Sequence, residues 1–94
     1  GFLSSVEEKG RYLLDRLRQL MVRFGSIREV RGKGLIVGVE MDGDVGIVVR
    51  RCMDKGLLVA MAGPSVLRFV PPLVVTMEEI DQAIAILNDV LEGL

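Results

Sequence analysis

AGPSVLRFVPPLVVT, residues 62–76, reads as a turn, a short strand and a stop in succession. Gly63 and Pro64 are turn residues. The run from Val66 to Val70 alternates as a strand does, with Leu67 and Phe69 on one face, and Pro71 and Pro72 end regular pairing because neither offers an amide donor. Thr76 then opens a helix: Glu79 stands three residues on, Val75 and Ile80 are spaced for a hydrophobic staple, and Ile80, Ala83, Ile84, Leu87 and Leu91 share one face. A strand followed at once by an amphipathic helix implies a layered domain. One residue does not fit the apolar run. Arg68 falls on the face of Val66 and Val70, where a strand serving only a core would carry another aliphatic side chain.

LLVAM (57–61) reads as the partner strand across the AGPS turn. Before it, Asp44 is a good N-cap for VGIVVRRCMDK (45–55), whose Val45, Val48, Val49, Cys52 and Met53 make an apolar stripe ended by Gly56; this predicts an amphipathic helix lying on the sheet. SIREVRGKGLIVGVEM (26–41) reads as two extended stretches around Gly32 and Gly34. The second places Leu35, Val37, Val39 and Met41 on one face and Ile36, Gly38 and Glu40 on the other, a buried strand beside a shorter edge strand. In VEEKGRYLLDRLRQLMVRF (6–24), Leu13, Leu17, Leu20, Met21 and Phe24 recur at helical spacing; Ser5 and Glu8 suit a capping box, and Gly25 supplies the stop. The order α-β-β-α-β-β-α predicts an α+β fold for residues 1–94 as a single domain, a small and mainly antiparallel sheet with helices packed against it.

Composition narrows the functional classes. The chain has 94 residues, half of them hydrophobic, which suffices for one thin core. Its 12 basic and 13 acidic residues nearly cancel and the basic ones are scattered, so no nucleic-acid or anionic-membrane surface is expected. No apolar run has membrane-spanning length, no secretory signal is present, and the lone Cys52 cannot form an intrachain disulfide; a cytoplasmic setting is expected. Histidine is absent, which removes imidazole as base, acid or metal ligand, and no metal site is predicted.

The remaining candidates for chemistry are few. Gly32, Gly34 and Gly38 match neither phosphate-loop spacing and read as turn and packing residues. Cys52 lies on an apolar stripe and reads as core. Lys9, Lys33 and Lys55 each fall where exposure is expected, so none has the desolvation that a Schiff-base lysine needs. Glu78 and Glu79 belong to the first turn of a helix, where they favour its dipole. Arg68 has two readings. An arginine on an edge strand, its head in water, accounts for the pattern on residues alone, and a planar guanidinium on a short strand is also a mount for bidentate capture of a carboxylate.

EVRGKGLIVGVEM (29–41) and RRCMDKGLLVAMAGPSVLRFVPPLVVTMEEIDQAIAIL (50–87) resemble the C-terminal part of class III pyridoxal-phosphate-dependent aminotransferases. The RGKG-LIVGVE stretch is shared across that class, and the AGP-x-VLRF-x-PPL-x-x-T pattern is similar to its acetylornithine, succinylornithine and ornithine branch. The resemblance implies the small domain of a fold-type I enzyme, part of a homodimer, that moves an amino group between N-acetylornithine and 2-oxoglutarate in arginine biosynthesis. It implies that Arg68 binds the α-carboxylate of the amino donor and of 2-oxoglutarate. It also implies that the Schiff-base lysine and phosphate loops belong to a large cofactor domain, the partner of this one, so pyridoxal phosphate is expected in the parent enzyme and not in this chain alone.

The sequence departs from the pattern at Ala60, where asparagine is expected, and at Ser65, where it is common. The chain opens on Gly1 rather than methionine, which favours a longer parent whose removal would leave apolar side chains such as Phe2 and Leu3 facing water. The alternative is a free-standing module of similar fold, binding a small acid or a protein partner without catalysis.

Overall fold

The computed structural model describes residues 2–72 and 74–94, with side chains from Ser5 onward, so the exposure expected of Phe2 and Leu3 lies outside the described residues. Its elements are α1 (Phe2–Arg23), β1 (Ile27–Lys33), β2 (Ile36–Met41), α2 (Gly46–Asp54), β3 (Ala60–Met61), β4 (Val66–Phe69) and α3 (Met77–Glu92). The four strands form one antiparallel sheet in the order β1-β2-β4-β3. The predicted α+β class and element order are therefore observed.

One face of the sheet is the core face. Val37, Val39 and Leu67 are fully buried and cluster with Leu13 and Leu17 of α1 and with Ile84 and Leu87 of α3. Each such side chain contributes about 1.5–3 kcal/mol by leaving water. The opposite face is open: Ile36 is 57% and Val70 59% exposed, as the period-two pattern requires.

α3 starts as its sequence predicts. The Thr76 hydroxyl accepts from the Glu79 amide (3.1 Å), the Glu79 carboxylate accepts from the Thr76 amide (2.9 Å), and Val75 and Ile80 are both buried beside this box. α1 instead begins at Phe2, which puts Ser5 inside the helix rather than at its cap. Asp44 does accept from the Gly46 amide (2.6 Å), but as an Asx turn, with Val45 in the capping position. α2 packs on α3 and meets the sheet at β3; Val48 and Cys52 are buried while Met53, expected on the apolar stripe, is 53% exposed.

Three strand expectations need correction. β1 is an edge strand as expected, yet at seven residues it is longer than the six of β2; a register irregularity between Ile27 and Glu29 interrupts its alternation. LLVAM pairs only at Ala60 and Met61, and Leu58 is 80% exposed. β4 is not an edge strand: it lies between β2 and β3.

The turn between β1 and β2 is held against α1. Gly34 takes φ 61° in that turn, and its carbonyl oxygen would lie 2.1 Å from a Cβ placed on Gly10. Only a glycine in the helix permits that approach.

Candidate functional site

β4 presents Arg68, and its mounting follows from the local sequence. Leu67 is fully buried and Phe69 is 4% exposed, so their side chains fix the strand to the core while Arg68 emerges on the open face. The strand is tied at its start as well. Gly63 adopts φ 84°, the Ala62 amide donates to the Val66 carbonyl (2.9 Å), and the carbonyls of Pro64 and Ser65 accept from the amides of Val45 and Met41 (both 2.8 Å). Backbone pairing on two sides, with Gly38 of β2 and Ala60 of β3 directly opposite Arg68, completes the support.

The open face carries one row of side chains across all four strands: Arg31, Gly38, Arg68 and Ala60. Arg31 is committed within the protein, donating to Glu29 (2.6 Å) and facing Glu40 at 3.4 Å. Arg68 has no hydrogen-bond or ion-pair partner among the described residues. It shares an open concavity of about 660 Å³ with Arg31, Lys33, Ile36, Gly38 and Val66. A guanidinium with its donors unspent, on a strand that cannot drift, beside exposed aliphatic side chains, can accept a carboxylate by two parallel hydrogen bonds.

The other candidates are dispersed. Lys9 is half-buried on α1, Lys33 ends β1 and Lys55 follows α2, the last two exposed. Lys33 lines the concavity of Arg68 and Lys55 a separate open depression beside α3, so these two lie apart. Gly32 and Gly34 serve packing and the turn. Cys52 is fully buried, and burial pushes its thiol above the ordinary value of 9.0, which leaves it an inert core residue. Glu79 is spent in the α3 capping box. No group of acidic or cysteine side chains able to hold a metal occurs among the described residues, and no described helix is long and apolar enough to cross a membrane. From sequence, Lys33 is only one of three lysines expected to be exposed, and Arg31 has no role. The structure places both on the open face beside Arg68, and the two-residue spacing of the basic residues in R-G-K was the signal for it.

The Aminotransferase class-III family profile matches residues 1–91. Acetylornithine aminotransferase of Caldanaerobacter subterraneus subsp. tengcongensis is 49% identical over 95 aligned positions, which take in all of this chain and 24% of that protein. Among solved structures, N-acetylornithine aminotransferase from Stenotrophomonas maltophilia superposes with a TM-score of 0.89 at 33% identity, over 96% of this chain and 26% of that one. Lysine aminotransferase from M. tuberculosis does so with a TM-score of 0.94 at 31% identity, over 99% of this chain and 22% of that one. The chain thus spans about a quarter of the length of the relatives it matches. Matched along nearly its whole length in both sequence and fold, the chain belongs to the class III aminotransferase family.

Proposed function

We propose that these residues form the small C-terminal domain of an acetylornithine-type aminotransferase, a cytoplasmic homodimer, and that the domain supplies Arg68 as the substrate-carboxylate ligand. The observation that carries this reading is Arg68 itself, without a side-chain partner among the described residues, on the open face of a sheet that fixes it on both sides. Transamination uses pyridoxal phosphate as electron sink. Because Lys33 and Lys55 are exposed and Lys9 is only half-buried, a large partner domain holds that group in this reading, and this domain alone is inactive.

Substrate chemistry narrows the role that family resemblance assigns to Arg68. The α-amino group of N-acetylornithine is blocked by the acetyl group, so the amine that leaves is the one at the far end of the side chain. Its α-carboxylate is then remote from the reacting carbon. In 2-oxoglutarate the carboxylate adjoins the carbon that receives the amino group. One fixed arginine beside the reacting centre therefore serves the 2-oxoglutarate half-reaction foremost, orienting the carbonyl carbon by holding the neighbouring carboxylate in two hydrogen bonds.

Arg68→Lys keeps the charge and loses the fork. In the complete enzyme the loss of one charge-assisted hydrogen bond costs about 1.5–3 kcal/mol, one to two decades in kcat/KM for 2-oxoglutarate. The donor half-reaction, followed by single-turnover absorbance of the cofactor, should lose far less. Specificity constants for 2-oxoglutarate that stay within about twofold of wild type would return Arg68 to the role of a surface arginine.

A further inference from the structure

Gly38 sits in the middle of β2, an interior strand, where glycine weakens a sheet and has neither a turn nor crowding to account for it. Its φ is not in the left-handed region. A Cβ built on it would meet Val66 Cγ1 at 3.5 Å and the carbonyl oxygens of Arg31 and Leu67 at 3.9 and 4.0 Å, ordinary contacts. Gly32 and Gly10 contrast with it, since a Cβ there would press on backbone oxygen at 2.9 and 2.1 Å. The fold therefore requires glycine at those two positions and not at position 38.

What distinguishes position 38 is its neighbour. Gly38 is directly opposite Arg68 on the open face, and on its other side Arg31 is held away by Glu29 and Glu40. The absence of a side chain leaves bare main chain between a committed arginine and an uncommitted one, at the floor of the concavity they share. Backbone exposed in a strand interior next to a free ligating group is where a ligand can approach closely.

We infer that Gly38 is a clearance position for the acid bound by Arg68: the part of the 2-oxo acid adjoining its carboxylate passes over the Gly38 main chain, and any side chain there obstructs it. This rests on the proposed role of Arg68. It makes Gly38 a specificity-determining residue on a strand that contributes no charged group to the ligand.

The test is Gly38→Ala in the complete enzyme, with Arg68→Lys in parallel and thermal midpoints measured for both. Gly38→Ala should raise KM for 2-oxoglutarate about tenfold, the effect of one methyl group in a fitted site, while leaving the acetylornithine half-reaction within about twofold and the thermal midpoint unchanged or higher. Gly38→Val, which fills more of the slot, should extend the loss. Unchanged KM in Gly38→Ala together with a clear Arg68→Lys defect would overturn the clearance role and leave the Arg68 assignment standing. A silent Arg68→Lys would remove the assignment and, with it, this inference. A Gly38→Ala enzyme with a lowered midpoint and both half-reactions impaired alike would assign the glycine to packing against another part of the protein, and would equally overturn it.

Discussion

Gly10→Ala sets two well-understood effects against each other. In a free helix the substitution is stabilising by about 1 kcal/mol, because alanine is the better helix former. In this fold the new Cβ would lie 2.1 Å from the Gly34 carbonyl oxygen and 2.7 Å from its carbonyl carbon, where real Cβ atoms essentially never come within 3.0 Å. The obstacle is backbone, and no rotamer change relieves it. Either α1 or the β1–β2 turn must withdraw by roughly 1 Å, which loosens the contact beneath it; overpacking of this kind costs about 1–3 kcal/mol, and more where backbone must move. The net expectation is a loss of about 1–2 kcal/mol, read from urea denaturation of the 94-residue chain followed by far-ultraviolet circular dichroism. Gly38→Ala is the matched control, expected to be neutral or slightly stabilising because its Cβ meets nothing nearer than 3.5 Å. If Gly10→Ala raised the urea midpoint, α1 would be free to move off the turn, and the packing of α1 against the sheet described above would be wrong.

Thr76→Ala removes one half of the α3 capping box and should cost about 1 kcal/mol, measured by the same denaturation; an unchanged midpoint would mean that the box contributes nothing to α3. Cys52 gives a pH dependence of known sign. Burial holds its proton in the folded state above the ordinary 9.0, so its contribution to stability is full below about pH 9 and is lost as the pH rises past that value. Stability measured across that window should fall in the wild-type chain and fall less in Cys52→Ala. The chain alone, titrated with pyridoxal phosphate, should show no saturable one-to-one change in cofactor absorbance, and a stoichiometric change abolished by replacing Lys9, Lys33 or Lys55 would contradict that expectation.

Local signals were legible in the sequence, and pairings between distant segments were not. The start of α3 could be read to the residue because Val75, Thr76, Glu79 and Ile80 lie within six consecutive positions and act locally. The buried face of β2 followed from strict alternation at Leu35, Val37, Val39 and Met41, all of which are buried. β3 was over-extended because LLV is apolar whether or not it finds a strand to pair with, and Leu58 does not. β1 was under-extended because its alternation is broken near Ile27 and Glu29. The interior position of β4 depends on which strand the chain lays beside β2 after α2, a matter of long-range pairing. That is why Arg68 could be placed on the correct face and not on the correct kind of strand. The same limit hid the neighbourhood of Gly38: its contact with Arg68 spans thirty positions of sequence and exists only through the β2–β4 register.

Removing the carboxylate instead of the arginine isolates the contact that Arg68 makes. Succinic semialdehyde is 2-oxoglutarate without the carboxylate that adjoins its carbonyl carbon, so the two acceptors and the two enzymes, wild type and Arg68→Lys, form a closed cycle. If Arg68 holds that carboxylate, the substitution should lower kcat/KM for 2-oxoglutarate by one to two decades and for succinic semialdehyde by no more than about twofold. Equal losses with both acceptors would mean that Arg68 acts on something other than the substrate carboxylate, which would refute its role as carboxylate ligand.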